Sequence, residues 1–436
     1  MKKEKARQNR AFYILSLGCS KNQCDAEKLK GALLEAGFYS SESAEDAQFV
    51  IINTCGFIND AKKESIDVIL DAAELREDHP DIKLIVTGCL SKRYFDDIKK
   101  EFPEADLVYG LIDDGLVREI EKIAGTDNSS IITPDGRIPL EGGLAYEYIK
   151  IAEGCSNNCS YCAIPLIRGP HQSFNPDDII KDAESAVRRG AKELIVIAQD
   201  IAAYEYKGQR LPSLLKQLAG TGAPWIRLLY CHPDHLTDDI IAAIKDIPQV
   251  AHYIDIPFQH VSKPIVSAMN RKGDALTYMR LIEKLRKEIP DIAIRSTFMT
   301  GFPGETDAQA EELLDFIAAA KLDRVGAFTY SPEEGTKASA LDDISAKVKN
   351  ARHTRLMALQ KRISAAKLQE KIGRTMRVLV EEHTGGDTWM GRSEYDAPEV
   401  DGIFFLTGSQ ISLHDIVAAK VTDAVEYDLE GIVCTE

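Results

Sequence analysis

Three cysteines crowd one stretch, Gly154-Cys155-Ser156-Asn157-Asn158-Cys159-Ser160-Tyr161-Cys162, with the spacing C-x3-C-x2-C. So tight a loop is too short for a disulfide framework. Grouped thiolates are soft ligands that suit zinc or an iron–sulfur cluster. A structural zinc site needs a fourth ligand at matching spacing; the nearest is His171, beyond Pro165 and Pro170. A four-iron cube normally takes four thiolates, so three leave one iron open to a small molecule. Cys19, Cys55 and Cys89 each follow an apolar run and each have a glycine beside them, Gly18, Gly56 and Gly88. Glycine lets the backbone turn sharply and come close to a bulky group. A single buried cysteine is common, but the same placement at three successive runs points to a second cluster site. Cys24 and Cys231 read as packed thiols.

The elements that must position these residues follow from hydrophobic pattern. Apolar runs at 12–17, 49–52 and 84–87 alternate with helical periodicity at 25–36 and 59–76. This predicts a parallel sheet in a first α/β domain over 11–125. Ligands of such sheets gather beyond the carboxyl ends of the strands, where Cys19, Cys55 and Cys89 fall. Residues 125–143, rich in Gly, Ser, Asp and Pro, read as a linker. Strand-like runs then recur at 146–152, 194–198, 226–230, 253–256, 292–299 and 325–330. Helical stretches lie between them at 176–189, 211–218, 238–245, 275–288 and 307–321. That pattern predicts a partial (β/α)6 barrel with its chemistry at the carboxyl ends of the strands.

The Cys155 loop follows the first barrel strand. The second ends at Gln199-Asp200, the third at Tyr230-Cys231-His232-Pro233 and the fourth at Gln259-His260. Gln259 and His260 could face a cofactor or substrate. The fifth carries Arg295 and ends in Gly301-Phe302-Pro303-Gly304-Glu305-Thr306, a turn whose amides precede a helix. One long helix over 345–373 completes a second domain, 141–372. A third, 373–436, shows short runs at 375–381, 387–392, 402–406, 416–423 and 424–429 with Gly turns, which predicts a small antiparallel β-barrel.

With Tyr161 before its last cysteine, the C-x3-C-x2-C loop resembles that of the radical S-adenosylmethionine (SAM) enzymes, whose core is a partial TIM-like barrel. Leu17-Gly18-Cys19-Ser20-Lys21-Asn22, Asn53-Thr54-Cys55 and Thr87-Gly88-Cys89 resemble the amino-terminal domain of the methylthiotransferases, a radical SAM family. The resemblance runs from about residue 11 to 436. It implies two [4Fe-4S] clusters, one on Cys155, Cys159 and Cys162 that cleaves SAM, and one on Cys19, Cys55 and Cys89 that takes part in sulfur delivery. A second SAM would donate the methyl group, and a flavodoxin or ferredoxin reductant and a sulfur donor would be needed. It places SAM contacts at Tyr161, Gln199, Asp200, Gln259, Gly301, Pro303 and Gly304. Gln199-Asp200 stands where related enzymes often carry Gly-Gly-Glu, so that match is one of position. Arg295 would meet the SAM carboxylate or an internal salt bridge. The last barrel corresponds to the family's TRAM module, commonly used to hold tRNA.

Charge bears on the substrate. The chain has a net charge of −16 over 436 residues, with 44% hydrophobic and 28% charged residues. That length predicts two or three domains with sizeable cores. The charge argues against phosphate neutralisation. The last domain has four Lys and Arg against thirteen Asp and Glu. An acidic barrel repels RNA and suits a basic protein. Tyr230-Cys231-His232-Pro233, Leu322-Asp323-Arg324-Val325-Gly326 and Gly391-Arg392-Ser393-Glu394-Tyr395-Asp396-Ala397-Pro398 also resemble one branch of the family. That branch modifies the β-carbon of an aspartate in the basic twelfth protein of the small ribosomal subunit. The alternative is a tRNA methylthiotransferase acting on a modified adenosine near the anticodon, which the charge makes the weaker reading. The basic start precedes an apolar run too short for a signal-peptide core, and no stretch approaches a membrane span. A cytoplasmic location is expected, with the cysteines as thiols or metal ligands.

Overall fold

The computed structural model describes residues 10–434; the basic start at 1–9 and the last two residues lie outside that range. Strands β1 (Ala11–Ser16), β2 (Tyr39–Ser40), β3 (Phe49–Thr54), β4 (Lys83–Gly88) and β5 (Leu107–Val108) form a parallel sheet in the order β2-β1-β3-β4-β5. Every residue of β3 is buried, because a parallel sheet is covered on both faces. Helices Ser20–Glu35 and Asp114–Ile123 pack on one face through Leu29, Leu33, Leu116 and Ile120. Helices Asn59–Asp78 and Phe95–Glu101 cover the other through Ile69 and Ile98. The first helix starts earlier than its apolar periodicity. Its opening residues Lys21 and Asn22 are polar yet buried, turned toward the second unit.

That unit has six parallel strands: β6 (Tyr146–Lys150), β7 (Glu193–Ile197), β8 (Trp225–Leu228), β9 (Tyr253–Asp255), β10 (Ala293–Thr300) and β11 (Arg324–Thr329). They pair as β6-β7-β8 and β9-β10-β11, and a bridge from Ile226 to Val250 joins the two triplets. Alternation sets the layers. Leu194 and Val196 face the helices, while Ile195 and Ile197 face inward with Tyr146, Tyr148 and Tyr253. Tyr395 and Ala397 of the last domain join this inner group. Tyr146 donates to Glu399 at 2.9 Å and Tyr253 to Asp401 at 2.7 Å. A loop of the last domain thus plugs the end of the barrel where its strands begin.

The last domain is a closed five-stranded barrel in the order β12-β13-β14-β16-β15, comprising β12 (Thr375–Gly385), β13 (Thr388–Ser393), β14 (Phe404–Thr407), β15 (Ile416–Ala424) and β16 (Leu429–Val433). Two expectations are corrected. The run 424–429 is not one strand: Ala424 ends β15, Val425 N–H bonds the Asp428 carbonyl in a turn, and Leu429 opens β16. Nor is the barrel wholly antiparallel, since β14 and β16 run parallel. A closed ring with an odd number of strands cannot alternate throughout. Helix Ala346–Gln369 buries a stripe at Lys349, Arg352, Leu356, Gln360, Ser364 and Leu368, the spacing of one helical face.

The stretch 125–143 is irregular but anchored. Arg137 within it is 1% exposed. It donates to Glu27 at 2.6 Å, Glu147 at 2.8 Å and Asp182 at 2.8 Å, which ties the first unit to the barrel.

Candidate functional site

Because β1, β3 and β4 are neighbours, Cys19, Cys55 and Cys89 emerge side by side at their carboxyl ends. Close approach dictates the glycines. Gly18 has φ +89°, and a Cβ there would stand 2.7 Å from Cys55 Sγ; at Gly88, φ +101°, one would meet the Thr54 backbone. Asn22 locks the loops together. Its Nδ2 donates to the Leu17 carbonyl at 2.8 Å and the Thr54 carbonyl at 3.1 Å. Its Oδ1 accepts from Arg168 at 3.0 Å and from the Cys89 thiol at 3.7 Å. Burial pushes the Cys89 thiol up to about 12, against the pull of Arg168, with Cys19 and Cys55 adding to the rise. Cys55 is raised too, again chiefly by burial.

The other three cysteines lie on the loop after β6. Cys155 N–H bonds the Gly169 carbonyl at 3.1 Å and Ser160 N–H the Met269 carbonyl at 3.0 Å. Burial pushes Cys162 up to about 12, helped by Cys159 and Cys155, and raises Cys155. Three thiols grouped on one loop make a soft donor set that could hold a metal ion or cluster. Arg271 reaches the loop, with Nη1 3.9 Å from Cys159 Sγ, Nη2 on the Pro257 carbonyl at 2.6 Å and a buried Nε without a partner. His171, the candidate zinc ligand, instead pairs with Ser173 Oγ at 3.1 Å.

The two triads share one interface. Ala163 and Ile167, just past Cys162, pack on Cys89. Arg168, on the same short helix, joins Asp25 at 2.9 Å and Glu153 at 3.0 Å. Lys62 and Arg93 of the first unit converge on buried Glu333 of the second at 3.1 and 2.5 Å. A cavity of about 500 Å³ opens between the units, lined by Phe57, Tyr161, Gln259, Thr297, Met299 and Tyr330 among others. That size suits a small-molecule ligand.

Tyr161 and Gln259 therefore line the cavity, and Gln259 holds a left-handed backbone, φ +70°. Gln199 is half-buried beside the Asp200 turn. Other residues expected at the SAM site have partners within the protein. Asp200 has every carboxylate position filled, Oδ1 by Ala202 N–H and His232 N–H at 3.2 Å, Oδ2 by Asn157 at 3.0 Å and His235 at 2.6 Å. It holds the cysteine loop through Asn157. Arg295 takes the internal alternative, 3.4 Å from both Asp255 and Asp401. In the turn at Gly301, Pro303 and Gly304, Gly301 N–H bonds Glu305 and Gly304 N–H bonds Asp343 at 3.0 Å. Thr306 and Gln309 form a capping box on the helix that follows. The turn instead seats Phe302 edge-on to Tyr161, with ring centroids 6.4 Å apart. His260 is fully buried and accepts from Ser262 N–H at 3.0 Å. The sequence reading missed Arg271, a lone arginine in no pattern, and passed over Lys21 and Asn22 inside the Cys19 motif.

Three family models match the chain: the uncharacterized protein family UPF0004 over residues 11–110, the radical SAM superfamily over 149–317 and the TRAM domain over 372–434. The chain is 42% identical over 428 residues to the ribosomal protein uS12 methylthiotransferase RimO of Thermodesulfovibrio yellowstonii, covering 97% of this chain and 99% of that one. It is 43% identical to the RimO of a Thermoanaerobacter species, covering 96% and 98%. Among solved structures it resembles the radical S-adenosylmethionine methyltransferase TsrM of Kitasatospora setae, determined with cobalamin and a [4Fe-4S] cluster. The TM-score is 0.56 and the identity 13%, over 76% of this chain and 77% of that one. At that identity the likeness is one of fold.

Proposed function

This chain belongs to the family of ribosomal protein uS12 methylthiotransferases, radical SAM enzymes, and on that footing we propose that it places a methylthio group on the β-carbon of an aspartate in uS12. The observation that carries this reading is the meeting of two cysteine triads across one interface, with Cys89 packed on the residues after Cys162. Cys155, Cys159 and Cys162 would hold one [4Fe-4S] cluster, and Cys19, Cys55 and Cys89 a second. When bound, these groups with SAM supply a radical able to take hydrogen from an unactivated carbon, and the sulfur to replace it. No side-chain base does that at neutral pH, since proton transfer needs a far more acidic group.

The chain's own residues do the positioning. Arg271, beside Cys159 and with an orphaned Nε, is matched to the SAM carboxylate, since guanidinium and carboxylate pair strongly. Tyr161 and Gln259 line the cavity that would take SAM, Gln199 would approach it from the Asp200 turn, and Phe302 packs on the Tyr161 ring. Asp200 and Asn157 hold the cysteine loop from behind. Asn22 holds the three loops of the second triad in register. One SAM serves as radical source and another as methyl donor. A flavodoxin or ferredoxin and a sulfur donor complete the set, working in the cytosol.

A paired anaerobic assay tests the reading. Reconstituted protein, SAM and a reductant are offered uS12 or tRNA lacking the methylthio group, and products are read by mass spectrometry. A methylthio mass gain on uS12 alone is expected; a gain on tRNA alone would overturn the substrate. In the same assay Cys159→Ala should abolish deoxyadenosine formation. Cys55→Ala should retain part of it while losing sulfur insertion. Product formation by Cys55→Ala would end the division of labour between the triads.

A further inference from the structure

A cation taken out of water normally faces an anion, because an unpaired buried charge is strongly unfavourable. Among the described residues every buried lysine and arginine obeys this except two. Arg137 with Glu27, Lys150 with Asp25 and Arg392 with Glu193 show the rule. The exceptions are Arg271 and Lys21, and both lie at the site. Arg271 touches Cys159 and is accounted for by the SAM carboxylate.

Lys21 has no such account. It is 5% exposed. It lies two residues beyond Cys19, in the first turn of helix Ser20–Glu35, a turn that has no acidic residue. The helix dipole opposes a cation there, so its position is unfavourable twice over. Its ammonium crosses to the barrel and lies 3.0 Å from the centroid of the Tyr230 ring, the partner the structure gives it. Tyr230 follows the third barrel strand with a left-handed backbone, φ +67°. Its N–H is held by Asp255 at 3.3 Å. A ring face attracts an ammonium but accepts none of its three N–H donors conventionally. The ammonium therefore sits between the second cysteine triad and the barrel mouth, with its donors unspent.

We propose that Lys21 receives the side-chain carboxylate of the substrate aspartate and so fixes the adjacent β-carbon beside the Cys19, Cys55 and Cys89 triad. This rests on the reading of uS12 as substrate. The carboxylate carbon is bonded directly to the β-carbon and is unchanged by the reaction, so holding one places the other. Lys21 is a specificity-determining residue in this role. An asparagine would present an NH2 group to the ammonium, and a site built for one polar partner rejects its near-isostere strongly.

The test measures binding of uS12, its modified aspartate located by mass spectrometry, and of uS12 with that aspartate changed to asparagine. Reconstituted enzyme with SAM but no reductant is used, so that nothing turns over. Wild type should bind the aspartate form at least about tenfold more tightly. Lys21→Met, similar in length and uncharged, should bind both forms alike, and Lys21→Arg should restore discrimination. Iron content and thermal midpoint report whether each variant is assembled. Discrimination retained by assembled Lys21→Met would overturn the proposal. So would equal binding of the two forms by wild type, an arm that needs no variant. If wild type methylthiolates uS12 yet fails either comparison, the substrate reading stands and the role of Lys21 falls. If wild type neither binds nor modifies uS12, both fall.

Discussion

At the scale of the residue, Asp200 and His235 show how one buried pair braces the cysteine loop. Burial opposes ionisation of Asp200, but hydrogen bonds from His235 and Asn157 bring its pKa below the usual carboxylate value. His235 is shifted up, first by its hydrogen bond to Asp200. His232 beside them is pushed down to about 3 by burial and by Arg271, and stays neutral. A histidine raised on folding adds stability below its unfolded value, about 6.5, and loses it as pH rises through the folded value. The Asp200 contribution is present above its unfolded value, about 3.9, and is lost as pH falls through its lower folded value. The thermal midpoint should therefore decline from this source as pH climbs above about 6.5, and His235→Gln should flatten that decline. The effect should stay under about 1 kcal/mol, because solvent screens a half-exposed pair; the His235 side chain is 39% exposed. Equal pH slopes for wild type and variant, at matched ionic strength, would remove the pair from this role. The grouping of the six cysteines could be read from sequence because their spacing marks one loop and glycine marks the close approaches at the three strand ends. The Asp200 network could not: its donors come from residues 157, 202, 232 and 235, which only the barrel brings together.

At the scale of the element, the stretch 125–143 acts as a clamp. Arg137 sits among Glu27, Glu147 and Asp182, and removing it strands Glu27 and Asp182 in a dry space, while Glu147 keeps Arg189 at 2.6 Å. Breaking a buried ion cluster by deleting one partner costs about 3–5 kcal/mol. Arg137→Met should therefore lower the thermal midpoint by several degrees and loosen the interface between the triads. The deficit should narrow as pH falls, since the stranded carboxylates, their pKa values now raised, take up protons. A variant with the wild-type midpoint at every pH would show that the arginine only fills space. Composition disguised this element, because Gly, Ser, Asp and Pro report the absence of periodicity and say nothing of a buried arginine. The barrel strands were legible to within a few residues, since each is an apolar run closed by polar residues. Helices Phe95–Glu101 and Asp114–Ile123 went unread: one is barely two turns long, and the other was overlooked although Leu116, Val117, Ile120 and Ile123 mark one helical face behind an Asp113 cap that accepts from Leu116 N–H at 3.2 Å. The turn at 425–428 was read as strand because its residues alternate as a strand does.

At the scale of the whole molecule, the last barrel is locked to the radical SAM core and presents acid outward. Arg392, one of its four cations, is buried between Glu193 and Glu381. Arg324 of the core reaches Asp396. Arg392, Asp396 and Asp401 are thus withdrawn from the surface, and the acidity that remains accessible comes from the other carboxylates of the barrel. Register gives that acidity a shape: Glu382 pairs with Met390, Met390 with Phe405, Phe405 with Glu430 and Glu430 with Asp423. Directly paired residues share a face of a sheet. Here that face is outward, with exposed Glu382, Glu430 and Asp423 flanking a Phe405 that is 41% exposed. An exposed aromatic among carboxylates suits a basic protein and repels a phosphate backbone. The triple variant Glu382→Lys, Asp423→Lys, Glu430→Lys should lower kcat/KM for uS12 about tenfold at low salt, mostly through slower association. The gap should close toward 1 M salt, where the screening length falls to about 3 Å. If kcat/KM is unchanged at low salt, the acidity serves solubility alone and uS12 is held elsewhere. The variant should also gain tRNA affinity, since it replaces three repelling charges with attracting ones, and a filter-binding series across salt reads that directly.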